Sequence, residues 1–209
     1  SELKAILLDH AGQHFSFGAS VEDHLPERVG EMLPEFHALV RETLALDLPT
    51  LAAVRGQCLG GGLEVALLAD RIVAAPGARF GQPEINLAVF APVASLLLPH
   101  RVGTQTATDL LLSGRSIEAA EAADLGLVAE IAHDPFAAAR RWAEEHLLSK
   151  SAAALRFATR AARLHWSARF LADLERVERL YLDELMETQD AVEGIRAFLE
   201  SRQAEWTNR

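Results

Sequence analysis

The rhythm of apolar and polar positions changes several times along the chain. Residues 4–9 form a compact apolar run that empties into loop residues around Gly12 and Gly18, which predicts a buried strand followed by a functional loop. From Glu22 the period lengthens. Leu25, Val29, Met32, Leu33, Phe36, Leu39, Val40 and Leu44 recur at three and four residues, leaving Glu27, Arg28, Glu31, Glu35 and Glu42 to face water. This predicts a long amphipathic helix, ended by Pro49. Residues 50–54 then read as a short buried strand, 61–69 as a helix and 71–75 as another strand. Residues 104–112 and 118–125 follow a helical pattern stopped by Gly114 and Gly126, with 127–131 a short strand. From Pro135 onward the chain is predicted to be helical.

That last third carries Trp142, Leu147, Leu155, Phe157, Phe170, Leu171, Leu174, Val177, Leu180, Tyr181 and Leu185, more apolar surface than such charged helices need for their own burial. Two readings stand side by side: a subunit interface, or helices folded back on their own core. The organisation expected is a core of residues 1–134 and a helical region of residues 135–209, with no internal repeat and no low-complexity tract.

Composition narrows the function. With 209 residues, 50% of them hydrophobic, the chain can bury a full core. A formal net charge of -10 weighs against a nucleic-acid role, which calls for a basic face. The single cysteine, Cys58, excludes an intramolecular disulfide and any multi-cysteine metal site, and is expected to be a small packing residue. His10, His14 and His24 have no carboxylate or cysteine at ligand spacing, so they read as solvated or loop-packing residues and no metal is expected. The opening SELKAILLDH contains no signal or basic targeting segment, and no run of 18 apolar residues occurs. A cytoplasmic protein without a membrane contact fits this pattern.

The candidate chemistry lies in three short runs: FSFGAS at 15–20, LGGGLE at 59–64 and FGQPE at 80–84. The first two place small residues where backbone N–H groups can approach a ligand unobstructed. The last two end in Glu64 and Glu84, a pair suited to holding water and moving a proton. Singly, Glu64 would complement a helix dipole and Glu84 would be a loop charge. Together and in this order, as FSFGA, AVRGQCLGGGLE and FGQPE, they resemble the enoyl-CoA hydratase/isomerase superfamily of the crotonase fold. The resemblance continues through RVG at 101–103, LLLSGRSIEAAEAADLGLVAEI and the terminal EGIRAFLESRQAEW.

What the resemblance implies is an α/β, crotonase-like (ClpP/crotonase) spiral of ββα units with a C-terminal helical trimerisation region, assembling a homotrimer or homohexamer. The thioester carbonyl of an acyl-CoA would sit between the amides of Ala19 and Gly61, with Glu64 and Glu84 as the acid–base pair. Which glutamate is base stays open. Phe17, Gly18, Gly60, Phe90, Pro92, Val93 and Phe198 are the expected substrate contacts. Coenzyme A enters as part of the substrate, and no separate cofactor is expected. After Glu84 many members read I-P-G-x-G-G-x-x-x-L, whereas this chain has NLAVFAPVASLLLPHRVG, which implies a reshaped and more apolar acyl pocket. With FSFGASVEDH, that segment looks like the cyclohexa-1,5-diene-1-carbonyl-CoA hydratases, implying 1,4-addition of water to a cyclic dienoyl-CoA. A general hydratase or isomerase of straight-chain acyl-CoA, and a catalytically silent acyl-CoA-binding or assembly subunit, are the competing readings. The family's N-terminal strand, helix and N-A-L-type segment are absent before Ser1, so either the sequence is a piece of a longer chain or the entry to the fold is shortened, and a sheet edge is left to be covered. Glu22 stands where many relatives carry a lysine, so the CoA phosphates are expected at Arg55, Arg202 or a neighbouring subunit.

Overall fold

In the computed structural model, which describes residues 2–209, strand Ile6–Leu8 (β1) is followed by a 3-10 turn at Val21–His24 and the helix Pro26–Ala45 (α1). Thr50–Val54 (β2), Gln57–Leu59 (β3) and Gly61–Leu67 (α2) form one strand–strand–helix unit. Arg71–Ala74 (β4), Arg79–Gly81 (β5), a 3-10 turn at Pro83–Leu87 and Pro92–Val102 (α3) form the next. Thr104–Ser113 (α4), Ser116–Glu118 (β6), Ala119–Asp124 (α5) and Glu130–Ile131 (β7) follow, then the helices Pro135–His146 (α6), Ala152–Arg179 (α7) and Gln189–Leu199 (α8).

The first strand of each unit enters one sheet and the second another. The first sheet is wholly parallel in the order β1-β2-β4-β7, and the second runs β3-β5-β6, with β3 parallel and β6 antiparallel to β5. The result is the expected spiral of ββα units. β2 shows why its sequence, TLAAV, carries no polar alternation: helices cover both faces of a parallel sheet. Leu51 points with Val73 toward Ala138 and Ala139 of α6, while Ala52 and Val54 point into the main core with Ile72 and Ala74. A one-residue slip would exchange those two faces.

Several boundaries differ from the sequence reading. The long helix starts at Pro26 rather than Glu22, because Val21–His24 forms a separate 3-10 turn and proline suits the first helical position. The predicted helix 61–69 ends at Leu67, and the strand predicted over 127–131 shrinks to Glu130–Ile131. Strands β3, β5 and β6 have only three residues each, too short for a period to show. The apolar stretch interrupted by prolines is the helix α3, with Pro92 in its first turn and Pro99 inside it. Helix α7 divides its apolar residues: Phe170 and Leu174 enter the main core, while Phe157 and Leu164 face outward. At its C-terminal end the chain makes one π-helical turn, Leu180–Glu184.

Candidate active site

Two glycine turns assemble the site. Gly60 precedes α2 at φ 55, and a Cβ there would stand 2.8 Å from Glu84 Oε1, so only glycine leaves room for that carboxyl. Gly18, at φ 95, lies so close to α2 that a Cβ on it would meet the Gly61 nitrogen at 2.8 Å. Ser16 is pinned beside β3 by Ser16 N to Gln57 O (3.1 Å) and Leu59 N to Ser16 O (2.9 Å), and its hydroxyl accepts from the Gly18 amide at 3.0 Å. Among the described residues neither the Ala19 nor the Gly61 amide has an acceptor, and a Cβ on Gly61 would lie 3.5 Å from the Ala19 nitrogen. Adjacent free N–H donors of this kind stabilise a developing oxyanion by about 3 kcal/mol each.

Glu64 is on the inward face of α2, only 4% exposed, and its Oε1 accepts a hydrogen bond from the Ala94 amide at 2.8 Å. Ala94 is in the first turn of α3, so the carboxylate fills a helix start that would otherwise lack acceptors. Burial raises the Glu64 carboxyl to about 7, against the opposing pull of the Ala94 and Val93 amides. Glu84 sits on the 3-10 turn, where burial first and then the charge of Glu64 push its carboxyl up to about 8. Two such groups facing each other do not ionise together, so near neutral pH they share one proton.

Gln82, 1% exposed, stands with the end of its amide 3.0 Å from both Glu84 oxygens. With nitrogen toward the acid it donates to the carboxylate, and with oxygen toward it accepts from the protonated form. Sequence reasoning passed over Gln82, although it lies between Gly81 and Pro83 in the motif that holds Glu84.

A cavity of about 420 Å³ opens beside these groups. Glu64, Glu84, Ala19, Gly61, Phe17, Gly18, Gly60, Phe90, Pro92 and Phe198 all line it. Val93 does not: its side chain is fully buried in the main core, and only its amide faces Glu64. Met32, Leu33, Phe36 and Val89 complete an apolar wall with Phe90. His24, read as a solvated or loop-packing residue, belongs to the cavity lining, its Nδ1 2.9 Å from Ser20 O. The expected phosphate ligands are engaged elsewhere. Arg55 bonds Asp9 and the His10 carbonyl, Arg202 pairs with Glu193 and Glu200, and neither lines the cavity. Cys58 is buried and its thiol is pushed well above the usual range by burial, so it stays protonated and inert. Among the described residues no group of three or more His, Cys, Asp or Glu could hold a metal ion, and no helix is long and apolar enough to cross a membrane.

Comparison with known proteins agrees with this geometry. The family model described as Enoyl-CoA hydratase/isomerase matches residues 1–209. A cyclohexa-1,5-dienecarbonyl-CoA hydratase of Thauera aromatica is 58% identical over 207 residues, covering 99% of this chain and 80% of that protein. A probable enoyl-CoA hydratase of Mycobacterium tuberculosis is 34% identical over 212 residues, covering 100% of this chain and 82% of the relative. Among solved structures, an enoyl-CoA hydratase from Mycobacterium avium subsp. paratuberculosis superposes with a TM-score of 0.84 at 29% identity, over 98% of this chain and 80% of that one.

Proposed function

The chain belongs to the enoyl-CoA hydratase/isomerase family, and on that premise we propose that it adds water to a conjugated dienoyl-CoA thioester, cyclohexa-1,5-diene-1-carbonyl-CoA, giving 6-hydroxycyclohex-1-ene-1-carbonyl-CoA. The observation that carries the reaction type is a pair of carboxyls raised in pKa, Glu64 buried and Glu84 half-buried, lining one apolar cavity beside two unpaired amides. The cyclic substrate rests on the identity to the Thauera aromatica hydratase and on the wall made by Phe90, Ala91 and Pro92.

The thioester oxygen accepts hydrogen bonds from Ala19 and Gly61. Glu64, whose carboxylate is held by the Ala94 amide at 2.8 Å, takes a proton from water while the water oxygen bonds to the β-carbon. Electrons move through the conjugated system onto the carbonyl oxygen, where the two amides hold the charge. Glu84, protonated, delivers its proton to the far end of the diene as the thioester re-forms, which completes 1,4-addition of one water. Glu64 ends protonated and Glu84 ionised, and a proton returns between them before the next turnover. No electrons leave or enter the substrate, so the reaction calls for no redox cofactor, and CoA is simply the carrier of the acyl group. The outward-facing Phe157 and Leu164 of α7 support assembly of residues 135–209 into a homotrimer or homohexamer, in the cytoplasm.

The 34% identity to a probable enoyl-CoA hydratase favours a second reading, hydration of straight-chain enoyl-CoA. Turnover of cyclohexa-1,5-diene-1-carbonyl-CoA against crotonyl-CoA by the purified protein separates the two. A strong preference for the cyclic diene is expected. Equal or better crotonyl-CoA turnover would reduce the proposal to a general hydratase, and CoA-ester binding without turnover of either would leave a silent subunit.

A further inference from the structure

Tyr181, the single tyrosine of the chain, is 1% exposed, and its hydroxyl is buried without a hydrogen-bond partner. Leaving a buried hydroxyl unpaired is destabilising, and phenylalanine would fill the same space without that cost. Its surroundings show where the hydroxyl belongs. The ring packs edge-on against Phe90, with centroids 5.3 Å apart, and shares an apolar cluster with Leu33, Val89, Met32 and Leu87. All five of those residues line the reaction cavity, so Tyr181 stands in the layer backing its wall. The backbone that places it is the π-helical turn Leu180–Glu184, an insertion that recurs at functional sites. The charged groups acting on the hydroxyl are Glu84 first and Glu64 second.

The proposed cycle leaves Glu84 ionised, half-buried on an apolar cavity wall, once its proton has gone to carbon. A carboxylate offers about four acceptor positions. Gln82 is the side chain at hydrogen-bond distance, and beyond it Glu84 has only a contact with its own backbone. A reserve donor would therefore lower the barrier to proton release.

We propose that Tyr181 is a positioning residue of the acid–base pair, its hydroxyl taking up the Glu84 carboxylate when that group has lost its proton. In the protonated resting state Gln82 suffices, which accounts for a hydroxyl that stands unpaired there. Burial and the two glutamates hold the phenol far above its ordinary pKa, so it keeps its proton and remains a donor at any working pH. Glu64 is the charged side chain acting on Glu84; Asp109 of α4 and Asp190, Glu193 and Arg196 of α8, the helices packed on its turn, do not act on it.

The inference rests on the acid role proposed for Glu84, and its test is independent of turnover. The carboxyl C=O stretch of Glu84 is titrated by infrared spectroscopy in the unliganded protein, with Glu84→Gln identifying the band. Tyr181→Phe removes the donor and keeps the ring, so the Glu84 ionisation is expected to move up by about one pH unit. Replacing tyrosine globally by 3-fluorotyrosine alters this one position, makes the phenol a stronger donor, and is expected to move the same ionisation down. Opposite shifts support the proposal; a band that titrates at the same pH in wild type and both forms overturns it. The alkaline limb of the pH–rate profile, measured on whichever acyl-CoA the wild type hydrates, should follow the band. A wild type that hydrates neither substrate would sink the hydratase reading, while the titration would still decide the role of Tyr181.

Discussion

Glu84 and Glu193 lie on two elements in direct contact, yet their carboxyls are driven in opposite directions. The turn carrying Glu84 packs on α8 so closely that a Cβ on Gly194 would overlap the Leu87 carbonyl. Glu193, next to that glycine, is half-buried and held by two guanidinium N–H groups of Arg202 and by the Glu205 amide at 2.9 Å. Arg202 and then that amide pull it down to about 2. Its neighbour Asp190 is likewise lowered, by the Thr207 amide first, with the Thr207 hydroxyl and the Asn208 amide adding to it. Glu84, half-buried on the cavity wall, is pushed up to about 8 by burial first and then by the charge of Glu64. A well-partnered carboxylate is a fixed charge, here fastening the C-terminal tail. One deprived of partners holds a transferable proton, and that deprivation is what acid–base work requires.

The contrast breaks most directly by removing the protons themselves. Glu64→Gln and Glu84→Gln keep shape but not acid–base capacity, and each should lower kcat by about 1,000-fold with a smaller change in KM, read by steady-state hydration of the acyl-CoA. Because the base must be ionised and the acid protonated, kcat/KM should fall as pH drops below about 7 and again as it rises above about 8. A profile that stays flat from about pH 5 to pH 10 would mean the two carboxyls do not carry the reaction.

Stability offers the next largest effect. The folded pKa of Glu84 lies above its ordinary value of 4.5, so the folded state binds the extra proton. The stability linked to it is fully present below pH 4.5 and is lost as pH rises through about 8. Glu84→Gln escapes that loss. Its advantage over the wild type in denaturant unfolding should grow by about 4 kcal/mol between pH 5 and pH 9. Glu193→Gln should show no such alkaline gain, since its shift has the other sign.

The turn that makes room for Glu84 can also be filled. Gly60→Ala places a Cβ 2.8 Å from Glu84 Oε1 on a backbone at φ 55, so the carboxyl or the turn must shift. A loss of about thirtyfold in kcat is expected, since a displacement of about 1 Å near reacting groups costs on this order. Unchanged activity would show that Glu84 needs no fixed place.

Glu64, Glu84, Gly18 and Gly60 were legible because each lies inside a short run whose spacing carries its own meaning. β2 was legible to the residue, since burial on both faces leaves an unbroken apolar word in the sequence. The three-residue strands β3, β5 and β6 were not, because pairing across distant segments, rather than local period, creates them. Tyr181 read only as one apolar position among many. Its hydroxyl gains a role from Phe90 and Glu84, about ninety residues away, a distance no periodicity reports. His24 packs in its loop as its pattern implied, while its place in the cavity wall was not legible, as proximity to a cavity is a property of the fold.

The smallest effect expected is at Glu193 itself. Glu193→Gln removes a partner of the exposed Arg202, and ion pairs at the surface contribute little because water and salt screen them. The stability this carboxylate supplies is present above pH 4.5 and is lost as pH falls through about 2, so at neutral pH the variant should melt slightly earlier at low salt. Added salt should shrink that difference. Hydration kinetics should stay within about twofold of the wild type, because the substitution alters a charge that does not act on Glu84. If kcat instead fell tenfold with the fold intact, the contact between Gly194 and Leu87 would be transmitting the state of the tail to the acid. The two regions would then be one device rather than a working carboxyl beside a fastening one.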